Sequence, residues 1–209
     1  MDSITDLHLL GRGNFILLQE EATISHSRRK FLQGSILIPT VVCSFPALAL
    51  PPDSMVTESK NRRLNLVNMH TDEVLDVVYW ENGNYIDDHV GQLNYFMRDH
   101  RADKSMLMDK KLYDFLFHLY SVLDTEEPVH ILSGYRTEAT NTSLREQSSM
   151  VAKRSYHVHG RAIDFYIPGV DNQFIQREAR RLILGGVGYY KKAGFIHLDT
   201  GYPRHWVST

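Results

Sequence analysis

The chain has 209 residues, of which 43% are hydrophobic and 23% are charged, and its formal net charge is −2. These values fit one globular domain and exclude a disordered chain, a collagen-like repeat and a polytopic membrane protein. The balance of 23 basic and 25 acidic residues leaves no basic excess for nucleic-acid phosphates. Because Cys43 is the only cysteine, any metal site must use carboxylates and some of the eleven histidines.

Residues 1–49 have the pattern of a twin-arginine signal peptide. The paired arginines lie in Ser27–Leu32, and residues 31–50 are uncharged and only moderately apolar. A membrane span needs about 20 strongly apolar residues, so the segment is more typical of an export signal. The small residues Ala47 and Ala49 predict cleavage after Ala49, which would leave no stable membrane span; an uncleaved anchor is the alternative. We therefore expect a location in the periplasm or cell envelope.

A polar linker is predicted at 50–61 and a single domain at 62–209. The β-rich runs at 63–68 and 74–80 are joined by turn residues and predict an antiparallel hairpin. Four helices are predicted: from Ile86 to about Arg98–Arg101, from Asp109 as N-cap, at 137–147, and from Asp171 to a stop at Gly185–Gly186. Further strands are predicted at 128–132, 162–167, 187–190 and 195–199. Helices and strands do not alternate as βαβ units, so the pattern predicts an α+β fold in which helices pack on a mainly antiparallel sheet.

Three side chains with metal-binding chemistry lie in or near the last predicted strands. In the strand at 162–167, Asp164 faces away from the apolar neighbours Ile163 and Phe165, and a carboxylate in such a strand must be paired, metal-bound or solvated. His157 precedes this strand, and His197 lies in the strand at 195–199. Two imidazoles and one carboxylate are the ligands of many catalytic zinc sites. Each residue taken alone is equally compatible with a packing, capping or salt-bridge role.

The string Ser-x-His-x-x-Gly-x-Ala-x-Asp at 155–164, preceded by Ser-Gly-Tyr-Arg at 133–136, resembles the zinc D-Ala-D-Ala peptidase superfamily, which includes phage endolysins and the hedgehog signalling domain. More narrowly, the chain is similar to the exported family of murein endopeptidase K. The motifs that carry this narrower resemblance are at 68–71, 133–136, 153–157, 185–190, 195–201 and 204–206. The resemblance implies a hedgehog/D,D-peptidase-like fold and one Zn²⁺ bound by His157, Asp164 and His197.

The resemblance also suggests roles for residues around the metal. Arg136 resembles the superfamily arginine that binds substrate and stabilises the oxyanion, although a surface salt bridge is the alternative. Ser155 would orient the turn that holds His157.

The general base is not determined by the sequence. Superfamily members place a carboxylate three residues before the last zinc histidine, or a histidine two before it, and here these positions are Gly194 and Phe195. Asp199 is then either the base or a residue that orients His197. His159 and His205 are the other candidates for the base, with substrate contacts or packing as their alternative roles. Tyr156 and Tyr189 are candidates to line the cleft, with packing in the core or at its rim as the alternative.

The resulting hypothesis is a monomeric zinc endopeptidase that cuts stem-peptide cross-links of peptidoglycan. The resemblance favours diaminopimelate-to-diaminopimelate (3–3) links, or these together with 4–3 links. One alternative is a D,D-carboxypeptidase or dipeptidase on the same scaffold. The other is a catalytically silent binding module, which the absence of the superfamily base pattern would favour.

Overall fold

The computed structural model describes residues 60–209. The predicted signal at 1–49 and all but the last two residues of the predicted linker lie outside this range. The first strand begins at Asn61, the final residue of that linker. Within the described range, none of the helices combines the length and apolarity needed to cross a membrane.

The described residues form one mixed eight-stranded sheet with the order β3-β2-β1-β4-β5-β7-β6-β8. The strands are β1 (Asn61–Asn68), β2 (Val74–Glu81), β3 (Asn84–Tyr85), β4 (Val129–Ser133), β5 (Ala162–Tyr166), β6 (Gly186–Tyr190), β7 (Phe195–Asp199) and β8 (Arg204–Ser208). The β1–β4 and β6–β8 pairs are parallel, and the other neighbouring strands are antiparallel. The predicted α+β class with a mainly antiparallel sheet is therefore confirmed.

Four helices and one 3₁₀ turn connect the strands of the described region: α1 (Asp87–Phe96), α2 (Lys110–Val122), α3 (Glu138–Gln147), α4 (Asn172–Leu182) and the 3₁₀ turn Tyr156–His159. The predicted N-caps are confirmed, because the Asp109 carboxylate accepts the Lys111 backbone N–H and the Asp171 carboxylate accepts two such N–H groups. These bonds satisfy amide groups that have no partner within the helix.

Three details of the predicted elements are wrong. Helix α1 ends at Phe96 rather than near 98–101. Helix α4 ends where Ile183 adopts a left-handed conformation with φ of 55°, two residues before the predicted glycine stop. Strand β8 was not predicted, because its five residues, with the polar Arg204 and His205 at the start, lack the run of β-branched residues that indicates a strand.

The hydrophobic core lies on one face of the sheet. Helices α1, α2 and α4 contribute buried apolar side chains to the same cluster as the strands. On β5 and β7 the core residues are Ile163, Phe165, Ile196 and Leu198, all of which are buried. Burial of each such side chain contributes about 1.5–3 kcal/mol to the free energy of folding. Because side chains alternate along a strand, this burial directs Asp164 and His197 to the opposite face of the sheet.

Gly185 provides a test of the packing around β7. A Cβ at this position would lie 1.9 Å from the backbone carbonyl oxygen of Asp199, whereas a Cβ at Gly91 in α1 would have no atom within 4 Å. We expect Gly185→Ala to lower the free energy of unfolding by about 2 kcal/mol or more, because the backbone must move. Gly91→Ala should leave it unchanged or raise it by up to about 1 kcal/mol. Equal urea-unfolding midpoints for the two variants would contradict this packing.

Candidate active site

Two rows of residues cross the polar face of the sheet. The first row contains Ser133, Asp164, His197, Gly188 and Trp206, which are register partners on β4, β5, β7, β6 and β8. The Asp164–His197 pair therefore arises from the antiparallel register of two neighbouring strands. Opposed residues in such a pair have Cβ atoms about 5 Å apart, which is close enough for their side chains to share a ligand.

The second row lies two residues further along and contains Ala162, Asp199, Gly186 and Arg204. Its glycine provides space for a neighbouring side chain, as does the glycine of the first row. A Cβ at Gly186 would lie 2.2 Å from Arg204 Nη1, and a Cβ at Gly188 would lie 2.5 Å from the Trp206 ring. The two glycines of β6 therefore allow side chains of β8 to cross β6 and contact β7.

His157 reaches the same point from outside the sheet. It lies in the 3₁₀ turn before β5, where the Ser155 hydroxyl accepts the His157 backbone N–H at 3.3 Å. Gly160 ends this turn with φ of 63°, a left-handed conformation that glycine adopts without strain. The turn places the His157 ring against the His197 ring, with centroids 5.1 Å apart.

The three side chains form a buried group with the geometry of a metal site. His157, Asp164 and His197 are 3%, 6% and 8% exposed. His157 Nε2 lies 3.3 Å from His197 Nδ1 and 3.2 Å from Asp164 Oδ1, and His197 Nδ1 lies 2.8 Å from Asp164 Oδ1. A tetrahedral ion with bonds of about 2.0–2.1 Å separates its ligand atoms by about 3.3 Å. This group could therefore hold one metal ion.

Hydrogen bonds on the far side of each histidine determine which nitrogen faces the group. His157 Nδ1–H donates to the Gly134 carbonyl oxygen at 2.7 Å, which leaves Nε2 as the ligand atom. His197 has the opposite arrangement, because its Nε2–H donates to Asp199 Oδ2 at 3.0 Å and Nδ1 faces Asp164. Such partners fix the ring orientation and the tautomer of a metal-bound histidine.

The electrostatics of the group keep Asp164 ionised and His157 neutral. Burial lowers the pKa of His157. Burial opposes ionisation of Asp164, but His157, His197 and Arg136 together hold its pKa well below the usual range. Burial also disfavours the charged form of His197, but hydrogen bonds to Asp164 and Asp199 raise its pKa. A metal ion would replace the proton on His197 Nδ1, so metal binding competes with protonation there.

Asp199 is fully buried, and both of its oxygens are occupied. Arg204 donates to Oδ1 at 2.8 Å and to Oδ2 at 2.7 Å, and the Gly201 N–H donates to Oδ1 at 2.8 Å. Burial opposes its ionisation, but the bonds from His197, Arg204 and Gly201 lower the pKa of Asp199. The Arg204 guanidinium lies about 5 Å from the rings of Tyr156 and Trp206. This packing holds Arg204 in position to neutralise the buried carboxylate.

Arg136 follows β4 and makes a similar contact with Asp164, the one carboxylate of the possible ligand group. It donates to Asp164 Oδ2 through Nη2 and to Ser133 Oγ at 2.7 Å through Nε. With Oδ2 engaged in this way, Asp164 presents Oδ1 to the two histidines.

A cavity of about 290 Å³ opens over this group. Besides the three possible ligands it is lined by Arg136, Ser148, Met150, Val151, Ala152, Arg154, Ser155, Tyr156, Tyr190, Phe195, Arg204 and Trp206. His159, His205 and Tyr189, which the sequence analysis named as candidates, are absent from this lining, and His159 and His205 are exposed elsewhere. Asp199 lies behind His197 and is also absent from the lining.

Sequence reasoning considered Arg204 only as a possible substrate-binding cation of the carboxypeptidase alternative, did not connect it to Asp199, and assigned no role to Trp206. Their two-residue spacing in a strand places them on one face, and this could have indicated a shared site. The missing information was the existence of β8 and its position beside the glycines of β6.

Comparison with known proteins identifies the family. The family model for the peptidoglycan L,D-endopeptidase MepK matches residues 56–206. The chain belongs to this peptidase family.

Relatives in the family match over most of their length. The peptidoglycan L,D-endopeptidase MepK of Escherichia coli K12 is 39% identical over 181 residues, which cover 86% of this chain and 97% of the relative. The probable peptidoglycan L,D-endopeptidase MepK of Haemophilus influenzae is 35% identical over 185 residues, with coverage of 88% and 97%. No solved structure matches the chain.

The three-residue group makes a direct prediction about metal content. We expect the protein to bind one divalent transition-metal ion per chain and His157→Ala to lose it, because two remaining ligands bind such an ion weakly. His130→Ala is the matched control, since His130 also lies near β5 and is hydrogen-bonded, to Tyr166, but is outside the group. Elemental analysis after dialysis measures the metal content per chain of the wild type and of both variants. Equal metal content in the two variants would contradict the assignment of these ligands.

Proposed function

We propose that this chain is a zinc-dependent murein endopeptidase that hydrolyses peptide cross-links of peptidoglycan. The observation that carries the proposal is the buried His157–Asp164–His197 group at the base of a cavity. Family membership supports peptidase chemistry on peptidoglycan. The likeness to the hedgehog/D,D-peptidase fold is part of the same proposal.

The donor set favours zinc as the metal. Two imidazole nitrogens and one carboxylate oxygen suit zinc, whereas magnesium and calcium prefer oxygen ligands alone. Three protein ligands leave a fourth tetrahedral position, and the cavity lies over the three ligands found here. When bound, zinc supplies Lewis-acid chemistry, which polarises a carbonyl group and makes water nucleophilic near neutral pH.

Arg136 is proposed to bind substrate and stabilise negative charge. Its guanidinium lines the cavity beside Asp164 and is held by Ser133. A fixed cation at this point favours the negative charge that develops on the oxygen of an amide under attack.

Asp199 is proposed to orient His197 rather than to act as the general base. A base must reach the reacting water, but Asp199 is fully buried behind His197 and both of its oxygens accept hydrogen bonds. Ser155 has a comparable supporting role, because its hydroxyl caps the turn that carries His157. The positions of His159, His205 and Tyr189 outside the cavity lining favour roles other than catalysis.

The relatives' names include an L,D-endopeptidase activity. In peptidoglycan, a 3–3 cross-link joins the L-centre of one diaminopimelate to the D-centre of another. We therefore propose the 3–3 cross-link as the preferred substrate. The proposal includes export by the twin-arginine signal at 1–49, action in the periplasm and a monomeric protein.

Digestion of purified peptidoglycan tests the proposed function. We expect the protein to release uncross-linked muropeptides from 3–3-linked material, and we expect a chelator or His157→Ala to reduce this release by at least about a thousandfold, because the group holds the metal. His130→Ala should retain full activity. Chromatography of the muropeptides measures all products. Loss of terminal D-Ala alone would indicate a carboxypeptidase, and unchanged muropeptides would indicate a silent binding module.

A further inference from the structure

The cavity over the metal group has an excess of positive charge. Three arginines line it, and Asp164 is the one carboxylate among the described residues of the lining. Arg136 pairs with Asp164, and Arg204 pairs with the buried Asp199 behind the wall. A divalent ion would add two further positive charges. The cavity is therefore suited to a substrate that carries negative charge near the bond to be cut.

Arg154 differs from the other two arginines. It lines the same cavity and is exposed, but no carboxylate in the described residues 60–209 forms an ion pair with it. A guanidinium can form two parallel hydrogen bonds with a carboxylate, so Arg154 offers a binding group that no carboxylate within residues 60–209 engages.

The backbone that carries Arg154 is held on both sides. Before it, the Ala152 carbonyl oxygen accepts a hydrogen bond at 3.2 Å from Nδ2 of Asn141, a buried residue of α3. After it, Ser155 is buried and caps the turn that bears His157. Arg154 lies two residues after Ala152 and directly before Ser155, so it extends from a wall of the cavity that is anchored on both sides.

The chemistry of the proposed substrate supplies a matching anion. In a 3–3 cross-link, the carbon attached to the scissile nitrogen is the D-centre of diaminopimelate, and this carbon carries a carboxylate. Covalent bond lengths place that carboxylate on the order of 4 Å from the carbonyl carbon under attack. An enzyme that holds the carbonyl at the metal group must therefore accommodate this negative charge within the same small cavity.

We propose that Arg154 binds the carboxylate on the amine side of the scissile bond and so determines specificity for cross-links in which this group is ionised. The inference rests on the proposed function, since it names the part of that substrate which the cavity recognises. Arg136 and Arg204 already form ion pairs with Asp164 and Asp199, which leaves Arg154 as the lining arginine without a carboxylate partner among the described residues.

Two substrates and three proteins test this inference. The substrates are 3–3-linked muropeptide dimers in which the amine-side D-centre carries either a free carboxylate or a carboxamide. The proteins are the zinc-loaded wild type, Arg154→Gln, and Lys153→Gln as the matched control. Lys153 is the exposed neighbouring cation in the same loop, but it does not line the cavity. The measurement is kcat/KM for each protein on each dimer.

We expect the wild type and Lys153→Gln to cleave the carboxylate dimer about tenfold or more faster than the amidated dimer, as a charge-assisted hydrogen bond predicts. Arg154→Gln should lose this preference, through slower cleavage of the carboxylate dimer with little change on the amidated one. A fourth protein, Arg154→Lys, should retain part of the preference because lysine keeps the positive charge.

A wild type without preference, or an Arg154→Gln variant that retains the preference or slows equally on both dimers, would overturn the role of Arg154 while leaving the proposed function intact. A wild type that cleaves neither dimer would instead overturn the proposed function.

Discussion

The site depends on hydrogen bonds that lie behind the possible metal ligands. The Gly134 carbonyl fixes His157 so that Nε2 faces the group, and Asp199 fixes His197 so that Nδ1 does. Arg136 donates to Oδ2 of Asp164, which leaves Oδ1 facing the two histidines. Without these partners, each imidazole ring could flip and the Asp164 carboxylate could rotate. The three ligand atoms would then not be held in one arrangement. The supporting residues thus convert three ordinary side chains into a group with one geometry.

The sheet makes this arrangement possible because its register is set by the core. Burial of Ile163, Phe165, Ile196 and Leu198 on one face specifies which residues of β5 and β7 face the other. A slip of one residue would move Asp164 and His197 into the apolar layer. The glycines of β6 then allow Arg204 and Trp206 to reach across from β8. The same strand pairing therefore determines both the packing of the core and the geometry of the site. The polar face also requires glycine at two positions of β6, where a larger residue would block the side chains of β8.

The sequence predicted the parts of this site that depend on local pattern. Alternation placed Asp164 and His197 on the faces of their strands opposite the apolar residues, and capping residues such as Asp109 and Asp171 located two helices. Strand order is not a local property, so the parallel pairing of β8 beside β6 could not be predicted. The functions of Gly186, Gly188, Arg204 and Trp206 followed from that pairing and were missed with it. His159 and His205 lie within motifs of the family resemblance, but they are exposed and do not line the cavity. His159 is in the 3₁₀ turn before β5, and His205 is in β8.

The two histidines present different nitrogens to the metal group because the hydrogen-bond partner on the far side of each ring requires it. Long-range ¹H–¹⁵N NMR of the zinc-loaded protein reads the state of each ring nitrogen directly. The expected result is metal on Nε2 with a proton on Nδ1 for His157, and metal on Nδ1 with a proton on Nε2 for His197. Identical tautomers for the two rings, or metal-shifted nitrogens on other histidines instead, would contradict this arrangement of ligands.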